Sequence, residues 1–282
     1  MSTDTQDEED DADPFPPLSP PQPLHQTTLT VPTASDDDGA SNQHLQHHYI
    51  RSIELTVVIR QLPSQGIPFQ LWPAATTLVS LLDLHRSDPS GSPLSAALLA
   101  NRSRLRVLEL GSGTGLVGIA AAAILGAAVT LTDLPHVLPN LQFNADANAE
   151  SLTLHGGAVD VAPLRWGEES DAEAVGREFD LILCSDVVYH DHLYDPLLKT
   201  LRFLLGGEEK VVFVMAHLRR WKKESAFFRK AKKMFEVERI HEDGLPPPGS
   251  RVAVAVYRFA GKRHRSGLKN SDTVKAKNAF QN

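Results

Sequence analysis

One cysteine, Cys184, occurs in 282 residues. A single thiol closes no internal disulfide, which fits a reducing compartment, so the expected location is cytosol with the nucleus as a second site. No run approaches the roughly 20 apolar residues that span a bilayer, and no opening stretch couples basic residues to an apolar segment as a secretory signal does. A soluble protein with no membrane partner is expected. Lys and Arg are missing from residues 1–48, which hold ten acids among many Pro, Ser, Thr and Gln. That segment has too little apolar surface to offset its ordering entropy and reads as a disordered acidic tail, unlike an Arg-rich transit peptide. No G-x-S-x-G elbow is present, which removes the usual serine-hydrolase reading.

What remains is an ordered domain over residues 49–258. Residues 49–257 carry 21 basic and 24 acidic side chains, a net charge of −3. A near-neutral body argues against a broad nucleic-acid surface. Residues 259–282 form a basic tail with little apolar pattern, read as solvated and disordered; Lys262–Arg265 is its densest basic stretch.

Alternation and β-branched residues predict a strand over Ile50–Leu62, a turn at PSQG and a short return strand at Phe69–Trp72. Pro73 suits the first turn of a helix continuing through AATTLVSLLDLH. From Arg106 strands and helices alternate: strands at 106–110, 129–132, 158–164, 179–185 and 210–217, helices at 116–125, 134–149, 193–205 and 224–233. The chain then ends on two strands, 235–240 and 251–259, with no helix between them. This order predicts a Rossmann-like, doubly wound, seven-stranded and mostly parallel α/β sheet, with an antiparallel hairpin at its C-terminal edge and an N-terminal β-hairpin and helix in front.

The stretch VLELGSGTGLVGIA, Val107–Ala120, places glycines where a strand turns into a helix. Gly111, Gly113 and Gly115 allow a sharp turn and close approach of a ligand, and Gly118 lets the helix lie near the strand. The dinucleotide fingerprint needs glycine at the sixth position from Gly111, where Leu116 stands. Glu109, just before the turn, would repel a pyrophosphate and suits a ligand carrying a cationic amino-acid portion. S-adenosyl-L-methionine has that portion and no phosphate. Asp133 ends the next strand, twenty-two residues after Gly111, where a carboxylate can accept bonds from both ribose hydroxyls; it could instead cap the following helix. Trp166, after the third sheet strand, offers an indole beside an adenine, and Trp72 begins a helix leaning towards the same edge. Trp221 sits in a Lys/Arg-rich loop and reads as an edge-packing residue.

The succession LWPAA, VLELGSGTGLVGIAAA, VTLTDLPHVLPNLQFNADAN, PLRWGE, LILCSDVVYHDHLYDPLLKTL and SAFFRKAKKMF resembles the methyltransferase-like protein-lysine methyltransferases, a seven-β-strand class I group sometimes called family 16. The resemblance spans about residues 50–258, and Asp186-Val-Val-Tyr189 is its distinguishing motif. It implies cofactor contacts at Trp72, Gly111, Ser112, Gly113, Asp133, Trp166 and Ser185, the last often alanine in relatives and so a backbone contact. It also implies substrates such as chaperones, AAA ATPases or translation elongation factors.

Methyl transfer to an amine needs a neutral nucleophile, alignment and desolvation, and no metal or covalent intermediate. A free lysine has a pKa of about 10.4. An apolar channel lowers it, whereas a bare Asp186 carboxylate would raise it. Asp186 is therefore expected to capture and orient the incoming lysine, while Tyr189 attracts it with its ring and bonds it through its hydroxyl. Glutamine-type relatives carry Asn-Pro-Pro-aromatic here, which this chain lacks. Asp191 and Asp195 read as helix-opening residues and not as metal ligands. The expected partner is a protein presenting a lysine to a monomeric enzyme.

Overall fold

The computed structural model describes residues 44–98, 104–206, 211–220, 222–244 and 253–262. Most of both charged tails, Trp221 and most of the Pro-rich loop before the last strand lie outside these residues. Nine strands and six α-helices are seen among the described residues: β1 His44–Ile50, β2 Leu55–Gln61, α1 Pro73–Ser87, β3 Arg106–Leu110, α2 Leu116–Leu125, β4 Ala128–Asp133, α3 Leu138–Leu154, β5 Ala158–Pro163, α4 Glu169–Val175, β6 Leu181–Ser185, α5 Tyr194–Leu205, β7 Val212–Arg219, α6 Ser225–Met234, β8 Phe235–Glu242 and β9 Ala253–Gly261.

Seven strands form one sheet in the order β5-β4-β3-β6-β7-β9-β8. The pairs among β5, β4, β3, β6 and β7 are parallel, and β9 pairs antiparallel with both β7 and β8. The chain moves outward from β3 in one direction and resumes at β6 in the other. The carboxyl ends of β3 and β6 thus flank a switch point, where open α/β sheets bind ligands. The expected edge hairpin is present, with β9 set between β7 and β8.

Strand alternation divides the interior into two cores. Val107, Leu181, Leu183, Val214 and Ala216 face α1, α2 and α3. Leu108, Leu110, Ile182, Cys184, Phe213 and Met215 face α5 and α6. Helix α2, LVGIAAAAIL, has nine buried residues and almost no polar side chain, as expected of a helix enclosed on all sides. It ends at Gly126, whose φ of +60° permits the left-handed cap that donates to Ala122 O.

The front hairpin differs from expectation. It pairs β1 with β2 through Arg51–Glu54, so the run 50–62 contains a turn and only one strand. The turn has no glycine or proline to announce it. Glu54 adopts φ +51°, and the Asp83 carboxylate of α1 accepts the backbone N–H groups of Arg51 and Ser52 at 3.3 and 2.8 Å. Strand β1, HLQHHYI, is too polar to show its alternation, yet His48 and Ile50 are buried. Strand β1 begins at His44, within the stretch expected to be acidic tail, and β9 continues to Gly261, past residue 258. Phe69–Trp72 is no strand. A short turn at Ile67–Phe69, closed by Leu62 N–H donating to Phe69 O at 2.8 Å, leads in extended form to Pro73.

Candidate active site

The loop after β3 is built for close approach. Gly111, Gly113 and Gly115 have φ of +62°, +55° and +85°, a region costly for residues with a Cβ. A Cβ on Gly111 would lie 2.8 Å from Trp166 Cζ2, and one on Gly113 would lie 3.0 Å from Pro68 O. The loop is thus held between the indole of Trp166, which also packs on the α5/α6 core, and the segment leading to Trp72. Ser112 joins the tips of β3 and β4: its N–H donates to Thr132 O at 2.9 Å and its Oγ accepts from Thr132 N–H at 3.1 Å. Thr132 Oγ1 donates to Glu109 O at 2.6 Å, a brace that the sequence reading did not single out.

Asp133 stands at the end of β4. One carboxylate oxygen accepts Gly113 N–H and the other accepts Leu134 N–H, both at 2.7 Å. Helix α3 starts only at Leu138, so Asp133 closes the glycine loop and does not cap that helix. Burial raises its pKa against the opposing effect of those two bonds. Glu109 is placed otherwise than expected. Pleat alternation puts it on the Val107 face, where it is buried beneath α2 and accepts Gly118 N–H at 3.0 Å. Desolvation pushes its pKa up to about 8, so its carboxyl group is largely protonated at neutral pH. A Cβ on Gly118 would meet Leu131 Cδ2 at 2.2 Å and Glu109 Oε2 at 2.7 Å, which accounts for the glycine there.

Ser185 ends β6, and Asp186 turns the chain at φ +59° while its N–H donates to Ala216 O at 2.9 Å. The Asp186 carboxylate, expected to capture and orient a lysine, is engaged here by groups at the end of β7. Arg220 grips both oxygens, Nη1 to Oδ1 at 2.8 Å and Nη2 to Oδ2 at 2.5 Å, and Leu218 N–H adds a bond at 3.2 Å. The physical reason is topological: β7 lies beside β6, so its carboxyl end arrives next to Asp186. The guanidinium lies 5.3 Å from the ring of Trp72, whose Nε1–H donates to Ile67 O. Behind it, Glu224 accepts Arg220 N–H at 3.1 Å and bonds Nε2 of the fully buried His217 at 2.9 Å. Arg220, His217 and Glu224 carry no sequence signal of their own; the strand order alone marks them.

Tyr189 is half-buried, and its phenol is pushed up by burial first, then by the charges of Asp133 and Asp186. Its hydroxyl therefore stays protonated near neutral pH. The structure brings Tyr189 within electrostatic reach of both β-strand carboxylates. Its ring begins a row with His190 at 4.9 Å and then His192 at 5.3 Å. Beyond them a cleft of about 630 Å³ is lined by Asp191, His192, Tyr194, Lys223, Arg229 and Lys230 among others. Among the described residues, no group of three or more His, Cys, Asp or Glu is placed to hold a metal ion.

These features fit S-adenosyl-L-methionine. The cradle excludes side chains at Gly111 and Gly113, and a carboxylate closes β4 where a ribose would need an acceptor.

Comparison with known proteins agrees. Residues 52–234 match the family model described as lysine methyltransferase. The chain is 35% identical over 203 residues to Protein N-lysine methyltransferase METTL21A of Danio rerio, covering 72% of this chain and 82% of that one. It is 32% identical over 260 residues to Protein-lysine methyltransferase METTL21E of Mus musculus, covering 86% and 96%. It is 31% identical over 183 residues to EEF1A lysine methyltransferase 3 of Xenopus tropicalis, covering 65% and 72%. The chain belongs to the lysine methyltransferase family and is a protein-lysine N-methyltransferase that uses S-adenosyl-L-methionine.

Proposed function

We propose that the acceptor is the ε-amine of a lysine on a folded non-histone protein, with translation elongation factor 1A the first candidate because one relative carries that substrate in its name. The observation that carries this reading is Asp186-Val-Val-Tyr189 at the carboxyl end of β6, directly beside the glycine loop after β3. The rim also supports a protein acceptor. Lys223 and Arg229 line the neighbouring cleft and suit acidic residues flanking the target lysine. Chaperones and AAA ATPases remain alternatives for the acceptor. The free, buried Cys184 supports residence in the cytosol, with the nucleus as a second compartment.

In this reading Trp72, Gly111, Ser112, Gly113, Asp133, Trp166 and Ser185 hold the cofactor. Asp133 retains acceptor capacity beyond its two backbone bonds and takes the ribose hydroxyls. Trp166 presents a flat apolar face to the base. Glu109 supports the loop from below by holding α2 to β3 and does not touch the ligand. Bound S-adenosylmethionine supplies an electrophilic methyl group on a sulfonium. Tyr189 orients the amine: its phenolic oxygen accepts an amine N–H, and its ring attracts the charged form at roughly 0.5–2 kcal/mol. Asp186 holds the loop that carries Tyr189, and the amine's proton leaves to water.

Calorimetric titration tests the cofactor half. Asp133→Ala is expected to weaken S-adenosylmethionine binding about 10–100-fold, from the loss of about 1.5–3 kcal/mol of charge-assisted bonding. Unchanged affinity would remove Asp133 from the site.

A further inference from the structure

The Asp186–Arg220 pair bears on a difficulty in the chemistry. An ammonium has no lone pair to attack with, and a bare carboxylate at the amine site would hold lysine in that unreactive form. The structure does not present a bare carboxylate. Both Asp186 oxygens face the fork of one guanidinium, and the paired side chains are nearly out of solvent, at 3% and 13% exposure. Such a bidentate pair is directional as well as charged.

Arg220 is also held from behind. Its N–H is fixed by Glu224, its guanidinium lies over Trp72, and Glu224 is itself fixed by His217. His217 Nδ1 faces Asp186 Oδ1 at 3.8 Å and has no other partner among the described residues. The titratable groups that face the pair are His217 on β7, Glu224 before α6, and Cys184 and Tyr189 on either side of Asp186. Arg220 is the one side chain in that set that carries a fixed positive charge.

We propose that Arg220 is a positioning residue that sets the protonation state of the target amine, by neutralising the Asp186 carboxylate that would otherwise keep the incoming lysine as an ammonium. This rests on the lysine-acceptor reading above. It makes opposite predictions for the two partners. Losing Arg220 exposes a negative charge to the amine and makes it harder to deprotonate. Losing the Asp186 charge leaves the guanidinium unpaired and makes the amine easier to deprotonate.

The test measures initial rates against pH at saturating labelled S-adenosylmethionine, with a cofactor-depleted protein extract as acceptor and label counted as methyllysine after hydrolysis. Arg220→Met is expected to move the acid limb of the profile up by about 1–2 pH units, with the rate recovering on the alkaline side. Asp186→Asn is expected to move the limb down. In the Asp186→Asn/Arg220→Met double variant, which leaves no lone charge, the limb is expected to return close to its wild-type position, whatever the height of the profile. Rates lowered equally at every pH, or both single variants moving the limb the same way, would overturn the proposal. If one single variant loses its fold by circular dichroism, the direction of the other decides; if both do, a double variant displaced from wild type by more than about half a unit overturns it. Wild-type protein that yields no methyllysine contradicts the acceptor reading instead, so the two failures are distinct.

Discussion

Glu109 lies one residue short of the tip of β3, and that single step sends its carboxyl group beneath α2 and away from the ligand edge. Its residue type and place were legible; its direction was not, because the pleat decides it and the strand's last residue cannot be read from composition. The consequence is measurable. A carboxyl group with a pKa raised from 4.5 to about 8 binds its proton more tightly when folded than when unfolded. Its contribution to stability is then fully present below about pH 4.5 and is lost as pH rises through 8. Glu109→Gln should remove that loss: relative to wild type, the variant's melting temperature is expected to rise between pH 5 and pH 8.5. A constant difference across that range would contradict the assigned burial. Asp133 and Asp186 were legible from their strand-end positions. Arg220 was not, since it meets Asp186 across 34 residues through a strand pairing that sequence spacing does not show.

Three asparagines do at the level of elements what no apolar pattern reveals. Asn140, Asn144 and Asn148 recur every fourth residue along one face of α3 and line the free edge of β2. Asn148 Oδ1 accepts Val58 N–H at 2.9 Å and its Nδ2 donates to Val58 O at 2.8 Å. Asn144 does the same for Arg60, at 2.8 and 3.1 Å, and also donates to Thr114 O at 2.9 Å. Asn140 accepts Arg60 Nε–H at 2.8 Å. The helix thus satisfies a strand edge with side-chain amides and ties the front hairpin to the glycine loop through Thr114. The sequence pattern predicts a helix here from Leu134, four residues early, and gives no sign of its buried polar face. Asn144→Leu is expected to lower stability by about 2–4 kcal/mol, because it leaves part-buried backbone groups of Arg60 and the buried Thr114 carbonyl unpaired. Denaturant unfolding checks this, and a loss below about 0.5 kcal/mol would mean the amides are not structural.

At the scale of the whole molecule, the alternation of strands and helices made the doubly wound sheet legible, and the edge hairpin followed from two final strands without a helix between them. The front hairpin was harder, since β1 is rich in His and Gln and its turn lacks glycine and proline. The glycine loop and the Asp-x-x-Tyr motif lie at opposite ends of about 75 residues. Only the parallel pairing of β3 with β6 brings them to one edge, and the family match over 52–234 covers both. The claim at the centre is that this edge moves a methyl group onto a lysine side chain of another protein. The most direct measurement incubates the purified chain with isotope-labelled S-adenosylmethionine and a protein extract and locates the label by mass spectrometry. The account predicts labelled methyl on the ε-nitrogen of lysine in one or a few defined proteins. Label confined to glutamine or arginine side chains, or to small soluble molecules, would contradict it.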